Sequence, residues 1–212
     1  MNYLDESLWN IISLRYDQIV DAIATNFCKI TIGGDCFPLK GFFHGKKDAD
    51  DKLMAYIVSK LGDYGFVVNY ISHQKMLALR RKYDHTSRRY SPAHINFATK
   101  EVNIVRSVAD NERFLFLVHE YMHLLMRRFQ CWEYDGDGWP EEVTVDLATC
   151  VISDMHGVNI YPRLAATAVN LHYNYFNDRF DVTKYEAKGK LAVGAEYSKA
   201  IVFNCLKGVN CA

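Results

Sequence analysis

The feature that most constrains this chain is a His-Glu-x-x-His motif, His119-Glu120-Tyr121-Met122-His123, inside a long apolar stretch. On a helix, residues i and i+4 lie on one face, so both imidazoles can point at the same metal ion. Glu120 is one residue further round the helix, where it can act as a general base on a water that the metal activates. Two histidines and a glutamate in a buried helix need partners, and a metal ion with its water supplies them. The motif therefore predicts a catalytic metal site.

A third ligand is predicted in the acidic stretch that follows, where a new helix should begin. Pro140 suits the first position of a helix, and the acidic residues after it suit the first turn. Glu142 and Asp146 are four residues apart and share a face, whereas Glu141 is followed at that distance by Val145. Glu142 can complete a His, His, Glu set that leaves a fourth position open for water, which is typical of catalytic zinc sites. Asp146 can accept a hydrogen bond from the far nitrogen of a ligating histidine and fix its tautomer.

These two stretches resemble the gluzincin clan of zinc metallopeptidases. The segments that lead into the motif are similar to the small ImmA/IrrE-like peptidases and minigluzincins, although those chains usually carry glycine where this one has Met122. The resemblance covers about residues 93 to 156. It rests on the metal motif and on these approach segments: Ile95-Asn96-Phe97, Val102-Asn103-Ile104-Val105 and Asn111-Glu112-Arg113-Phe114.

The resemblance implies a zincin-like fold, one Zn²⁺ ion per chain and a zinc-dependent metallopeptidase that cuts a limited set of protein or peptide substrates. An edge strand beside the cleft would bind the substrate as an added strand. The clan often uses a tyrosine or histidine from the C-terminal half as a second donor to the developing oxyanion. Four residues are candidates for that donor: Tyr134, His156, His172 and Tyr175. A rival interpretation is a regulatory or binding module that keeps the metal site but no longer hydrolyses.

Composition and charge narrow the function classes. The chain has 212 residues, of which 50% are hydrophobic, and a formal net charge of zero. This composition favours a packed domain and gives no global field for nucleic acid. A basic run at residues 75–89 leaves open a DNA-associated protease, but a solvated basic face is the preferred interpretation. Nucleic acid is therefore not expected as a partner.

Targeting signals are not evident in the sequence. The acidic N-terminus lacks the basic and apolar regions of a signal peptide, and no run of eighteen apolar residues exists to span a membrane. The six cysteines have no Cys-x-x-Cys spacing, so reduced thiols are expected, with a bond between Cys205 and Cys211 left open. We expect a cytoplasmic protein with no membrane association. The sequence does not predict the oligomeric state.

Hydrophobic periodicity and turn residues predict a mainly helical α+β fold with a small β-sheet before the active-site helix. We expect a single domain over residues 1–212, with N-terminal helices and strands (1–92), a metal-site core (93–157) and C-terminal helices (158–212). The predicted helices cover residues 4–27, 48–61, 73–83, a segment from Pro140 to about His156, 162–176 and 191–206. The predicted strands cover residues 29–32, 65–71, 94–97 and 102–105, and the last two should form a hairpin.

Overall fold

A computed structural model describes residues 3–27, 45–83, 91–128, 141–176, 179 and 181–211. The expectation of a mainly helical α+β chain with a small sheet ahead of the motif helix is confirmed. In chain order the elements are α1 Tyr3–Phe27, α2 Asp51–Asp63, β1 Val67–Ile71, α3 His73–Tyr83, β2 Ala93–Asn96, β3 Glu101–Val105, α4 Asp110–Arg128, α5 Glu141–Met155, α6 Tyr161–Tyr175 and α7 Lys184–Cys211. Three features of the sequence analysis lie outside the described residues: the strand expected at residues 29–32, Arg88 and Arg89 of the basic run, and Pro140.

The sheet places β2 at one edge. Within the described residues the strand order is β1-β3-β2, with β1 parallel and β2 antiparallel to β3. The predicted hairpin therefore exists. Its turn is held by Asn96, whose side-chain oxygen accepts hydrogen bonds from the backbone N–H groups of Ala98 and Thr99 at 3.0 and 3.1 Å. Lys100 closes the turn with a φ of 54°.

The core is formed by the helices around α5. Buried side chains from α1, α2, α4, α5, α6 and α7 and from the sheet belong to one cluster. Helices α1 and α7 run antiparallel, since Lys207 bonds Asp5 at one end and Lys188 bonds Asp21 at the other. This packing leaves α5 between the terminal helices and α4, which fixes where the acidic first turn of α5 can lie.

Helix α7 begins seven residues earlier than the sequence pattern indicates. Thr183 and Glu186 form a capping box: the Thr183 hydroxyl accepts from the backbone N–H of Glu186 at 3.2 Å, and the Glu186 carboxylate accepts from the backbone N–H of Thr183 at 2.8 Å. The helix continues through Gly194, which packs so closely on α5 that a β-carbon there would lie 3.2 Å from the Thr144 hydroxyl oxygen. Close helix packing, rather than helix propensity, accounts for this glycine.

Two other boundaries differ from prediction for local reasons. Helix α2 starts at Asp51 rather than residue 48, because the Asp50 side chain caps it by accepting from the backbone N–H of Leu53 at 2.8 Å. Strand β1 starts at Val67 rather than residue 65, because Gly65 adopts a φ of +79° in the turn before it.

The structure bears on two expectations from the sequence, the absence of a membrane span and the reduced state of the cysteines. None of the helices in the described ranges combines the length and apolarity needed to cross a lipid bilayer. Cys150 and Cys205 are buried free thiols.

Candidate metal centre

The motif residues lie on α4, a helix that is buried over most of its length. Phe114, Leu117, Val118 and their neighbours are buried on nearly every face of this helix. His119, Glu120 and His123 are buried as well, with exposed fractions of 6%, 5% and 8%. Three ionisable side chains in an apolar helix require compensating partners. The partners of the two histidines come from α5 and α6.

Three donor atoms converge in one triangle. The Nε2 atoms of His119 and His123 lie 3.1 Å apart, and the Glu142 carboxylate oxygens lie 3.3 Å from His119 Nε2 and 3.5 Å from His123 Nε2. Ligands at bond lengths of about 2.0–2.1 Å in a tetrahedron are about 3.3 Å from one another. Glu142 meets His119 with Oε2 and His123 with Oε1, and each contact is close to the separation of neighbouring tetrahedral ligands. One donor atom from each of the three residues lies within 4.8 Å of the other two, so the group can bind a metal ion.

Asp146 holds the far side of His119. Its Oδ1 atom lies 2.9 Å from His119 Nδ1, on the ring nitrogen that points away from the triangle. Asp146 is fully buried, and its carboxylate also accepts from the Arg163 guanidinium at 2.7 Å and from the Asn170 amide at 2.8 Å. An acceptor at Nδ1 keeps the proton there and leaves Nε2 free to bind a metal. This is the geometry expected of Asp146 from the sequence.

Glu141 holds the far side of His123 in the same way. His123 Nδ1 lies 2.6 Å from Glu141 Oε1, and the Arg127 Nε–H donates to the same oxygen at 3.4 Å. Sequence spacing favoured Glu142 over Glu141 as a ligand, and Glu142 is the one in the triangle. The spacing did not indicate a role for Glu141. Successive helical residues point about 100° apart. Glu141 can therefore reach Nδ1 of His123 while the adjacent Glu142 reaches Nε2 of the same ring.

The electrostatics of the site favour positive charge at its centre. Burial lowers the pKa of His123, but hydrogen bonds to Glu141 and Glu142 outweigh burial and raise the pKa to about 10. For His119, burial and Arg163 lower the pKa, and the two carboxylates around it raise it above its ordinary value. Burial opposes the charge on Glu142, yet the two histidines hold its pKa well below the usual range. A divalent cation is the natural partner of such a carboxylate-rich pocket.

The triangle opens into a cleft of about 820 Å³. One wall is formed by residues 91–97 around β2, and the opposite wall by α6. Glu120, Glu142 and Arg163 reach the cleft between these walls. The edge of the small sheet and the metal-binding group therefore line the same cleft. The cleft is large enough for several residues of an extended chain.

The predicted second donors to an oxyanion do not line this cleft. His156 lies elsewhere, with its Nδ1 3.3 Å from the Asp50 carboxylate. His172 is buried next to the ring of Phe27, and Tyr175 is also absent from the residues that line the cleft. Tyr134 lies outside the described residues. None of the three described candidates is among the residues that line the cleft, and the polar side chains that α6 presents to it are Arg163, Asn170 and Asn174.

Comparisons with known proteins give no match from which a family could be assigned to this chain. No protein-family model, no curated protein and no solved structure matches the chain.

Sequence reasoning missed three residues of the centre: Glu141, Arg163 and Asn170. Arg163 follows Pro162 in the first turn of α6, and Asn170 lies two turns further along. The only signal for Arg163 and Asn170 was indirect, because a carboxylate that is buried against a histidine needs a cationic or amide partner, and the C-terminal helices carry several such residues. Sequence alone cannot choose among them.

Proposed function

We propose that this protein is a zinc-dependent metallopeptidase. The observation that carries the proposal is the donor triangle of His119, His123 and Glu142, which opens into a cleft that the buried Glu120 carboxylate also lines. Two imidazoles, one carboxylate and one open position form a recognised catalytic zinc set, and a neighbouring carboxylate outside that set is what hydrolysis requires.

His119, His123 and Glu142 would hold the zinc. When bound, zinc acts as a Lewis acid that lowers the pKa of water and polarises a carbonyl group. The donor chemistry suits this ion, because imidazole nitrogen with one carboxylate is preferred by zinc, whereas Mg²⁺ and Ca²⁺ prefer oxygen ligands throughout. Asp146 and Glu141 hold the two imidazoles so that their Nε2 lone pairs face the triangle.

Glu120 would move the proton. It neighbours His119 on α4 but does not belong to the donor triangle, so its carboxylate is available as a base. It would accept a proton from the attacking water and pass it to the amine that leaves when the peptide bond breaks. Because Glu120 lines the cleft, its carboxylate can meet a water that enters there.

Strand β2 would bind the substrate. The backbone N–H of Val105 donates to Pro92 O at 2.8 Å, so in the β2–β3 register the peptide groups of His94 also face β3. Those of Ala93 and Ile95 face the open edge along the cleft. An extended peptide can add to this edge through main-chain hydrogen bonds, which supports a peptide rather than a small-molecule substrate.

The resemblance to gluzincins, and to ImmA/IrrE-like peptidases in particular, supports a zincin-like assignment and limited proteolysis of a few protein substrates in the cytoplasm. In that group a strand and a short loop lead into the active-site helix, which is the order of β2, β3 and α4 in this chain.

The test pairs metal content with cleavage. Zinc-loaded wild type should cleave a mixture of unstructured peptides, and mass spectrometry would identify the products. Glu120→Gln should keep its zinc and lose roughly 10²–10⁴-fold in rate. Glu112→Gln, in the first turn of the same helix, is the matched control. Loaded wild type that cleaves no peptide, or Glu120→Gln that cleaves as fast as wild type, would reject the proposal.

A further inference from the structure

The metal centre contains the same three-residue chain twice. On one side His119 bonds Asp146, and Asp146 bonds Arg163. On the other side His123 bonds Glu141, and Glu141 bonds Arg127. Each ring nitrogen that points away from the donor triangle is therefore met by a carboxylate, and each carboxylate is met by an arginine.

The two chains differ in their exposure to solvent. The side chains of Asp146 and Arg163 are 0% and 8% exposed, whereas those of Glu141 and Arg127 are 22% and 54% exposed. The histidine contact is the shorter one on the exposed side, 2.6 Å against 2.9 Å. The same Arg127 guanidinium lies over the ring of Phe97, with its carbon 4.3 Å from the ring centre. Glu141 is therefore held against His123 in spite of its exposure.

We propose that Glu141 is a positioning residue for His123 and sets how tightly the centre retains its metal, with Arg127 and Phe97 holding Glu141 in place. This inference rests on the metal site of the proposed function, but not on peptidase activity.

The physical reason lies in the imidazole itself. A carboxylate at Nδ1 fixes the proton on that nitrogen, orients the ring and makes Nε2 a more basic ligand. A neutral amide at the same place can still accept the hydrogen bond but carries no charge. Loss of such a carboxylate typically lowers metal affinity by about 10- to 100-fold. Because Glu141 begins α5 and Glu142 follows it, one turn of helix supplies both a ligand and the support for a second ligand.

Zinc affinity by chelator competition is the primary test. Glu141→Gln should bind zinc about 10-fold more weakly than wild type, and Glu141→Ala up to about 100-fold more weakly. Glu6→Gln, an exposed first-turn glutamate of α1 far from the site, should match wild type. Arg127→Gln should weaken binding less than Glu141→Gln, because the His123 contact remains.

Proton NMR of the zinc-loaded protein gives a readout that a purely structural role would not move. Wild type should show downfield ring N–H signals from His119 and His123, whose Nδ1 atoms lie 2.9 and 2.6 Å from carboxylate oxygens, and Glu141→Gln should shift only the His123 signal upfield.

The outcomes separate this inference from the peptidase proposal. Equal zinc affinity in wild type and Glu141→Gln would overturn the inference about Glu141. A loss of zinc affinity in Arg127→Gln as large as the loss in Glu141→Ala would overturn it as well. The latter would mean that Glu141 only ties α4 to α5. Wild type that binds zinc but cleaves no peptide would reject the peptidase proposal alone, whereas wild type that binds no metal would reject both.

Discussion

Arg163 donates to Asp146 at 2.7 Å in a part of the protein where both side chains are almost wholly buried. This ion pair lies directly behind His119, so one contact between α5 and α6 supports both the packing of the helices and the orientation of a histidine in the donor triangle. The carboxylate tolerates burial because an arginine, an amide and an imidazole share its charge.

Arg163→Ala should therefore destabilise the protein strongly. It leaves the Asp146 carboxylate buried without its cation, which typically costs about 3–5 kcal/mol. Urea denaturation of the metal-free protein measures the change. Arg179→Ala, which removes an exposed partner of Asp181, is the matched control and should unfold at nearly the same urea concentration as wild type. A loss as small for Arg163→Ala as for the control would mean that water enters the site and solvates Asp146.

Replacement by glutamine should lower the zinc content of the protein at Glu142 but not at Glu120. Glu142→Gln removes the charged member of the donor triangle, so zinc content should fall far below one ion per chain. Glu120→Gln changes a carboxylate that lies outside the triangle, so about one zinc ion per chain should remain. Elemental analysis of the purified proteins measures both. Equal zinc in Glu142→Gln and wild type would remove Glu142 as a ligand.

The sequence predicted the residues of the donor triangle because their spacing is local. Positions 119 and 123 share a face on any helix, and positions 142 and 146 share a face on the next. The partners of Glu141 depend instead on the rotation of α5 against α4, which the close contact of Gly194 with Thr144 and the packing of the terminal helices determine. Such long-range contacts leave no periodic signal. The start of α7 was readable, since Thr183-x-x-Glu186 is a capping-box pattern, but the apolar pattern becomes regular only later.

The stability of the metal-free protein should fall as pH rises above neutrality. His123 has its pKa raised from 6.5 to about 10 in the folded state, because its carboxylate partners outweigh burial. The folded chain therefore keeps a proton that the unfolded chain releases. This contribution is fully present below pH 6.5 and is lost as pH rises through 10.

Urea denaturation of the metal-free protein across that range checks this expectation. His123→Gln should show a smaller decrease than wild type, since the pKa of His119 is also raised and its contribution remains. Zinc should act in the opposite sense, because it competes with the proton for His123, so the stabilisation that zinc adds should grow with pH. A decrease of the same size in His123→Gln would assign it to other groups.

Ser91→Ala should extend the part of β2 that a substrate can use. The Ser91 hydroxyl donates to Ala93 O at 2.7 Å and lies 3.4 Å from Ala93 N, so it occupies outward-facing peptide groups of the strand. Their release would offer an extended peptide one further pair of backbone hydrogen bonds. Each such bond contributes about 0.5–1.5 kcal/mol, so KM for peptides long enough to reach Ala93 should fall by roughly 2- to 10-fold per bond. Ser91→Thr keeps the hydroxyl and should match wild type. A higher KM in Ser91→Ala would instead show that the hydroxyl orders the strand for binding.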